Sequence, residues 1–501
     1  MAQLVKLNPD EVKELRKINP ALISYNVEMT EVTGGTFWKA YTEEQIAGLE
    51  QVPPPDFKLG LASMHQWYDP IDTTNPRLIK LAKELGPVWV RVSGTWATKT
   101  YYDFEDTGVV PEGYQNRLTK QQWINLLNFV KEIGGKLLVS FANCEGLHSA
   151  NEPWNESQAE LLFKLSVEHG VPIDAVEFTN EPNMMEGTGF PKGYTPADFR
   201  RDQDLFHKWV RKNYPDVIIV GPCTVDAAAL KGDDKDSSGG AGIGDILTSC
   251  TTGDLMDGCT EKLDVFSYHY YNGVSERMAA LCPQMYTPPE GATSEEYLGM
   301  AGMCARAFVP YRDKYCPGSE MWVTESGDAG AGGHTWASTY LEVPRELNEF
   351  GEFAKVTNGV IFHNTLASSD YGYLQHGTFE PRPSYFAALL WNQLMGDVVY
   401  DCGEEIREGA HVFAHSRKDG KEGVAYLIIN NSRTDITTVE LPKEAVRYTL
   451  DGNGNMRSLV MYLNGKPLAL GENDAIPVME GVTEQAGSVE VAPGTCTFFV
   501  I

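Results

Sequence analysis

An α/β fold, a (β/α)8 TIM barrel followed by a C-terminal β-sandwich, is what this sequence predicts, on three observations. Apolar, β-prone runs alternate with helical patterns along most of residues 21–394, giving eight strands. Beyond Leu394 the helical periodicity stops and short strands separated by turns take over. Two of the barrel strands end in glutamate, Glu181 and Glu325, at the strand end where such barrels keep their chemistry.

The first convincing strand is Ala21 to Val27, closed by Glu28. Arg77 to Leu85 reads as helix, stopped by Gly86-Pro87, and Val88 to Val92 as a strand running into Ser93-Gly94-Thr95. Gln121 to Ile133 carries Trp123, Leu126, Leu127 and Val130 at helical spacing, and Lys136 to Ala142 is the third strand. Glu160 to Glu168 is helix, and the run AVEFTNEPN from Ala175 to Asn183 is the fourth strand. Alternation there assigns Val176, Phe178 and Asn180 to one face and Thr179 and Glu181 to the other, while Pro182 removes the amide that would continue pairing. A helix from Ala197 to Lys212 leads to a strand from Asp216 to Val220. Leu263 to His269, Glu320 to Glu325 and Gly359 to His363 complete the set. Between them Cys223 to Cys259, rich in Gly, Asp and Ser, reads as an insertion above the barrel. The expected division is 1–20 joining the sandwich, 21–394 the barrel and 395–501 the sandwich, with a fixed interface because no flexible linker lies near Leu394.

Composition limits the function classes. With 69 Asp plus Glu against 41 Lys plus Arg the net charge is −28, a field that repels nucleic acid and anionic membranes and disfavours a highly sulfated polymer. No apolar run approaches the roughly 18 residues of a membrane span, and the first 19 residues are not a leader pattern. The expected location is therefore the cytosol, or outside the cell if a leader has been removed. Nine cysteines, an odd number without CxxC spacing, exclude a complete disulfide set and metal-finger patterns. Cys250 with Cys259, or Cys282 with Cys304, remain conceivable bridges in an oxidising compartment, against the plainer reading of reduced thiols.

The chemistry rests on the two glutamates. An isolated Asn-Glu-Pro triplet is a weak signal, because a lone glutamate beside proline is usually a solvated turn residue. A second strand ending in Glu and eight barrel strands in order make it strong, since glycoside hydrolysis needs one carboxyl group as proton donor and a second facing it. No cofactor and no metal is required by such a pair. Five blocks then carry a resemblance: Pro87 to Phe104, Val176 to Asn183, Val265 to Gly273, Trp322 to Gly333 and Thr378 to Gly396. Together they resemble glycoside hydrolase family 79, the family of heparanase and of microbial β-glucuronidases, from about Ile18 to Phe499.

That resemblance implies Glu181 as acid/base and Glu325 as nucleophile of a retaining mechanism. It implies Asn180 on the sugar 2-hydroxyl and Tyr270 as the tyrosine that orients the nucleophile. It implies a glucuronate carboxylate held by Tyr371, by Gly372 and by the amides around Gly330, Gly332 and Gly333, where the plain alternative is a flexible loop. Glu28 matches an acidic residue that holds sugar hydroxyls. The implied partner is a glucuronide-containing carbohydrate or small-molecule conjugate, and the implied activity is exo-β-glucuronidase, acting on glucuronic acid or its 4-O-methyl form. An endo-acting, heparanase-type enzyme is the alternative, although no excisable linker lies between Asn143 and Asn180 and the cleft surroundings lack basic clusters. A catalytically silent carbohydrate-binding relative is the reading from another class, and retention of both glutamates argues against it.

Overall fold

The computed structural model describes residues 3–56, 58–185, 188–225 and 250–501. Eight parallel strands close into a barrel in sequence order: β1 Ile23–Glu28, β2 Trp89–Ser93, β3 Lys136–Ser140, β4 Ala175–Glu177, β5 Ile218–Val225, β6 Val265–Tyr271, β7 Met321–Gly327 and β8 Gly359–His363. Among the described residues seven long helices connect or flank them: α1 Pro76–Glu84, α2 Lys120–Ile133, α3 Ser157–Glu168, α4 Pro196–Asn213, α5 Glu295–Tyr315, α6 Val343–Val356 and α7 Pro383–Leu394. Their boundaries follow local chemistry. The Thr119 side chain accepts from the Gln122 amide to start α2, and Gly134 at φ 69° ends it. Thr195 with Asp198 and Pro196 do the same for the start of α4.

Period-two alternation sorts each strand into an inner and an outer set. Outward residues such as Val90, Val139, Val176, Ile219, Tyr268 and Ile361 join the helices in the main core. Inward residues at the N-terminal end of the barrel form a separate apolar floor, with Trp89, Leu138, Ala175, Val220, Val265, Trp322 and Phe362. The Trp89 and Trp322 rings sit 4.8 Å apart at its centre.

Strand β5 continues to Val225, so the first residues of the expected insertion, Cys223 to Val225, belong to the barrel, and Thr252–Met256 is a short helix. The middle of that expected insertion lies outside the described residues. Cys259 and Cys282 are thiols, which removes both conceivable bridges.

Beside two small two-stranded ribbons, the remaining strands build two layers. A nine-stranded sheet includes Met395–Asp401, His411–Arg417, Val424–Asn430, Ala445–Asp451 and Thr495–Val500. A three-stranded sheet of Gln3–Lys6, Thr437–Leu441 and Gly487–Val491 covers one face of it, enclosing Val5, Val412, Tyr426, Ile428, Val439 and Phe499. The other face places Phe413, Leu427, Ile429 and Phe498 in the main core with Phe350, Phe353 and Trp391 of α6 and α7. Phe413 lies so close to Gly351 of α6 that a Cβ there would fall 2.4 Å from its ring. The chain's start is shared between these layers: Gln3–Lys6 pairs in parallel with Thr437–Leu441, and Lys13–Lys17 pairs antiparallel with Met395–Asp401. Among the described residues no helix is long and apolar enough to cross a membrane.

Candidate active site

Above the apolar floor the barrel interior turns polar, and its centre is Arg91, two residues along β2 from Trp89 and fully buried. Its Nε donates to Glu177 Oε2 of β4 at 2.9 Å, one terminal nitrogen donates to Glu325 Oε1 of β7 at 3.0 Å, and the other to Asn180 Oδ1 at 2.8 Å. That second nitrogen also lies 3.2 Å from His269 Nε2. A guanidinium only donates, so Nε2 is the acceptor and the His269 proton sits on Nδ1. Nδ1 in turn lies 3.0 Å from Glu181 Oε1 and 3.6 Å from Glu325 Oε2. One cation from β2 thus fixes groups from β4, β6 and β7, and a sequence stretch of only apolar strand character, VWVRV, carries it.

The two sequence-predicted glutamates meet here. Glu325 reaches the interior because β7 is irregular. Its pairing with β6 steps from Val323 to Glu325, leaving Thr324 as the extra residue of a bulge. With Trp322 facing inward, strict alternation would turn Glu325 outward; the bulge returns it to the cleft. At β4 the regular strand stops at Glu177. Ala175 and Glu177 face inward and Val176 and Phe178 outward, so Asn180 does not share the face of Val176 and Phe178. Asn180 and Glu181 both reach the cleft because the chain has left the strand's period, with Glu181 at φ 44°.

Parity also corrects the tyrosine. Along β6, Val265, Ser267, His269 and Tyr271 face inward while Phe266, Tyr268 and Tyr270 face the helices. The Tyr271 hydroxyl donates to Glu325 Oε2 at 2.7 Å, whereas Tyr270 is buried in the main core with its hydroxyl unpartnered. Asn364, just past β8, donates to the hydroxyls of Tyr271 at 2.9 Å and Tyr371 at 3.1 Å. The Tyr371 hydroxyl is thereby brought near that of Tyr271.

The glycines fare differently. The Gly330 amide donates to Gly273 O and the Gly333 amide to Ala329 O, so neither is free to receive an anion. The carbonyls of Ala331 and Gly333 face Arg277, whose guanidinium also pairs with Asp370 at 2.8 Å. Gly332, at φ 86°, is packed against Trp38, where a Cβ would fall 2.5 Å from the Trp38 Cβ. The Gly372 carbonyl accepts from Arg382, and its Cα is backed by Ser368. Glu28 ends β1 in the cleft; it shares a capping box with Glu31 and lies over Gly94, where any Cβ would collide with its carboxylate.

The electrostatics separate the facing carboxyl groups. Burial, and then the Glu325 charge, raise Glu181 above the ordinary carboxylate range. Burial also works on Glu325, but His269, the Arg91 guanidinium and the Tyr271 hydroxyl overcome it and hold Glu325 below that range. Burial raises Glu28 strongly, helped by the Glu325 charge, and lifts Glu31 to about 8. One donor atom each from Glu181, His269 and Glu325 lie within 4.8 Å of one another. A divalent cation fits such a spacing in principle, but the Arg91 charge already neutralises Glu325 and the His269 Nδ1 lone pair is protonated. This donor set suits proton transfer. Arg91, His269, Tyr271 and Asn364 went unidentified in the sequence, although the inward parity of β6 would have found two of them.

An eight-stranded parallel barrel with two facing carboxyl groups at the C-terminal ends of β4 and β7 is that of a (β/α)8 glycoside hydrolase. No family model matches the chain. Heparanase-like protein 1 of Arabidopsis thaliana is 25% identical over 486 residues, covering 86% of this chain and 85% of that protein. Baicalin-beta-D-glucuronidase of Scutellaria baicalensis is 23% identical, covering 85% and 83%. Hyaluronoglucuronidase of Hirudo nipponia is 24% identical, covering 86% and 90%. Among solved structures, a 4-O-alpha-L-rhamnosyl-beta-D-glucuronidase from Fusarium oxysporum superposes with a TM-score of 0.62 at 12% identity over the whole of both chains. Over most of its length the chain is thus similar, at 23 to 25% identity, to heparanase-like and glucuronidase proteins.

Proposed function

We propose that this protein is a retaining exo-β-glucuronidase, with Glu181 as acid/base and Glu325 as nucleophile. The observation that carries this reading is the Glu181–Glu325 pair, whose nearest donor oxygens lie within 4.8 Å and whose protonation is pushed in opposite directions. Retaining enzymes keep their carboxyl groups about 5 to 5.5 Å apart, inverting ones about 6.5 to 9.5 Å to admit a water. Glu325, ionised and held on both oxygens, attacks the anomeric carbon while Glu181 protonates the leaving oxygen. Forming the glycosyl ester removes the Glu325 charge, and with it the second cause that raises Glu181. Glu181 then becomes the stronger acid and the better partner for an ionised role, activating water for the second displacement. Asn180, fixed by Arg91, faces the sugar 2-hydroxyl, a contact that strengthens as the oxocarbenium ion develops.

The sugar assignment draws on the named activities of the relatives and on Tyr371. Its hydroxyl, held by Asn364, is the group we assign to the glucuronate carboxylate; with the Gly330 and Gly333 amides engaged elsewhere, the glycine bend contributes less than the sequence suggested. The test is hydrolysis of p-nitrophenyl β-glucuronide beside the matching β-glucoside and β-xyloside, with the anomer of the first-formed product read by NMR. Turnover of the glucuronide with the β-anomer released first is the expected result. An α-anomer sinks the double displacement, and preference for an uncharged sugar sinks the role of Tyr371. Free glucuronic acid from a glycan marks exo action, and oligosaccharide products mark the endo alternative. A Glu325→Gln protein that binds sugar, beside a wild type that turns nothing over, marks the silent binding relative.

A further inference from the structure

Outside the carboxyl pair, the side of the barrel mouth next to β2 holds a cavity of about 310 Å³ whose lining includes Thr36, Trp67, Trp96, Gln115, Asn116 and Gln122. Trp67 is 67% exposed, an unusual placement for the largest apolar side chain, and Trp96 is half-buried beside it. Around the two indoles stand three threonine hydroxyls and three side-chain amides. Asn116 and Gln122 are fixed in orientation by donating to the Thr33 hydroxyl at 2.7 Å and the Thr33 carbonyl at 3.3 Å. Aromatic faces beside planar amides and hydroxyls are what a pyranose needs: the rings cover its C–H face, and the polar groups pair with its hydroxyls. In a chain of net charge −28 this lining contains no carboxylate, and its one charged member is Arg117, paired with Asp103 at 2.9 Å. An acidic saccharide therefore meets no like charge on the cavity wall.

Both walls are carried on chain segments that also reach the active site. Trp96 follows Ser93, whose hydroxyl donates to Asn180 Oδ1 at 3.3 Å, and Gly94, which lies under Glu28. Trp67 belongs to the ribbon in which Gly35–Trp38 pairs with His65–Tyr68, and Trp38 of that ribbon packs on Gly332. From this arrangement we infer that the Trp67–Trp96 cavity is a subsite for a further sugar of the substrate, so that the group released with glucuronate is a saccharide, acidic or neutral, rather than a small planar conjugate. The inference rests on the exo reading above, under which only the aglycone side of the substrate can extend.

The test compares p-nitrophenyl β-glucuronide with a tetrasaccharide of alternating N-acetylhexosamine and glucuronate that ends in non-reducing β-glucuronate. In Trp67→Ala, kcat/KM for the tetrasaccharide relative to that for the p-nitrophenyl glycoside should fall about 3- to 10-fold, through KM, with Trp67→Phe in between. An unchanged ratio overturns the subsite. Titration of the tetrasaccharide into Glu325→Gln protein, with and without Trp67→Ala, reads the subsite without turnover; equal affinity, or no binding to either, also overturns it. Failure of the exo reading shows separately, as absence of free glucuronic acid from the tetrasaccharide with wild-type protein.

Discussion

The floor and the mouth of the barrel interior are built on the same eight strands from opposite materials. Trp89 and Arg91 are two residues apart on one face of β2, yet Trp89 packs against Trp322 in an apolar layer and Arg91 binds four polar partners above it. The floor is stabilised mainly by burial and close packing. The mouth holds a permanent cation among carboxyl groups, and such an arrangement is stable only while that cation remains. The difference teaches that one layer carries folding energy and the next carries chemistry, with a single pleat between them.

The sharpest way to break that comparison is at the reacting group. Glu325→Gln should lower turnover of the p-nitrophenyl glucuronide by about 10⁴-fold or more while leaving thermal stability close to wild type. A variant with a tenth of wild-type activity would exclude the nucleophile assignment. Next comes the pair on β2. Arg91→Met should cost about 3 to 5 kcal/mol, because Glu177 and Glu325 are left buried without their cation, and should remove activity as well. Trp89→Ala should cost a similar amount, about 3 to 5 kcal/mol, through the cavity it leaves, while the folded fraction keeps its kcat. Urea unfolding and kcat measured on the same preparations separate the two, and equal effects on kcat would erase the distinction between the layers.

The third comparison is Tyr271→Phe against Tyr270→Phe. The Tyr271 hydroxyl favours the charged form of Glu325, so its removal raises the pKa of that group and moves the acid limb of the pH–rate profile upward by about one pH unit. Tyr270→Phe removes a hydroxyl that faces the helices and should leave the limb in place. The last effect concerns the pH dependence of stability. Burial lifts Glu31 from 4.5 to about 8, so between those values the folded state retains a proton that the unfolded state has released. Stability contributed by this group therefore falls as pH rises from about 4.5 to 8. The Tm of Glu31→Gln relative to wild type should rise across that window, and a flat difference would contradict the burial.

How much of this was legible in the sequence follows the same division. The eight strands and most of the helices between them were readable because apolar periodicity and caps such as Thr119 with Gln122 are local signals. The two glutamates were readable because each ends an apolar, β-prone run of the sequence. Arg91 was not, since nothing local distinguishes a charge inside VWVRV from one on a solvated face; its four partners come from β4, its following turn, β6 and β7. Tyr271 was missed for Tyr270 by a failure to follow parity from Val265. The Thr324 bulge and the left-handed backbone of Glu181 could not be read at all, because pairing with neighbouring strands decides them. The Gly330 and Gly333 amides were misassigned for a related reason: a glycine bend can present its amides to a ligand or to its own chain, and here Gly273 and Ala329 take them.

The pairing of Lys13–Lys17 with Met395–Asp401 has a temporal side. On a ribosome working at about 5 to 20 residues per second, roughly 20 to 80 s separate the emergence of Lys17 from that of Asp401. Throughout that interval the early strand has no edge to join, while all eight barrel strands emerge behind it. Its sequence, KELRK, is suited to the wait: four of five side chains are charged, which keeps a lone strand from pairing with its neighbours on a polysome. The order of synthesis thus lets the catalytic barrel assemble first and makes the returning sheet the clasp that secures the chain's beginning last.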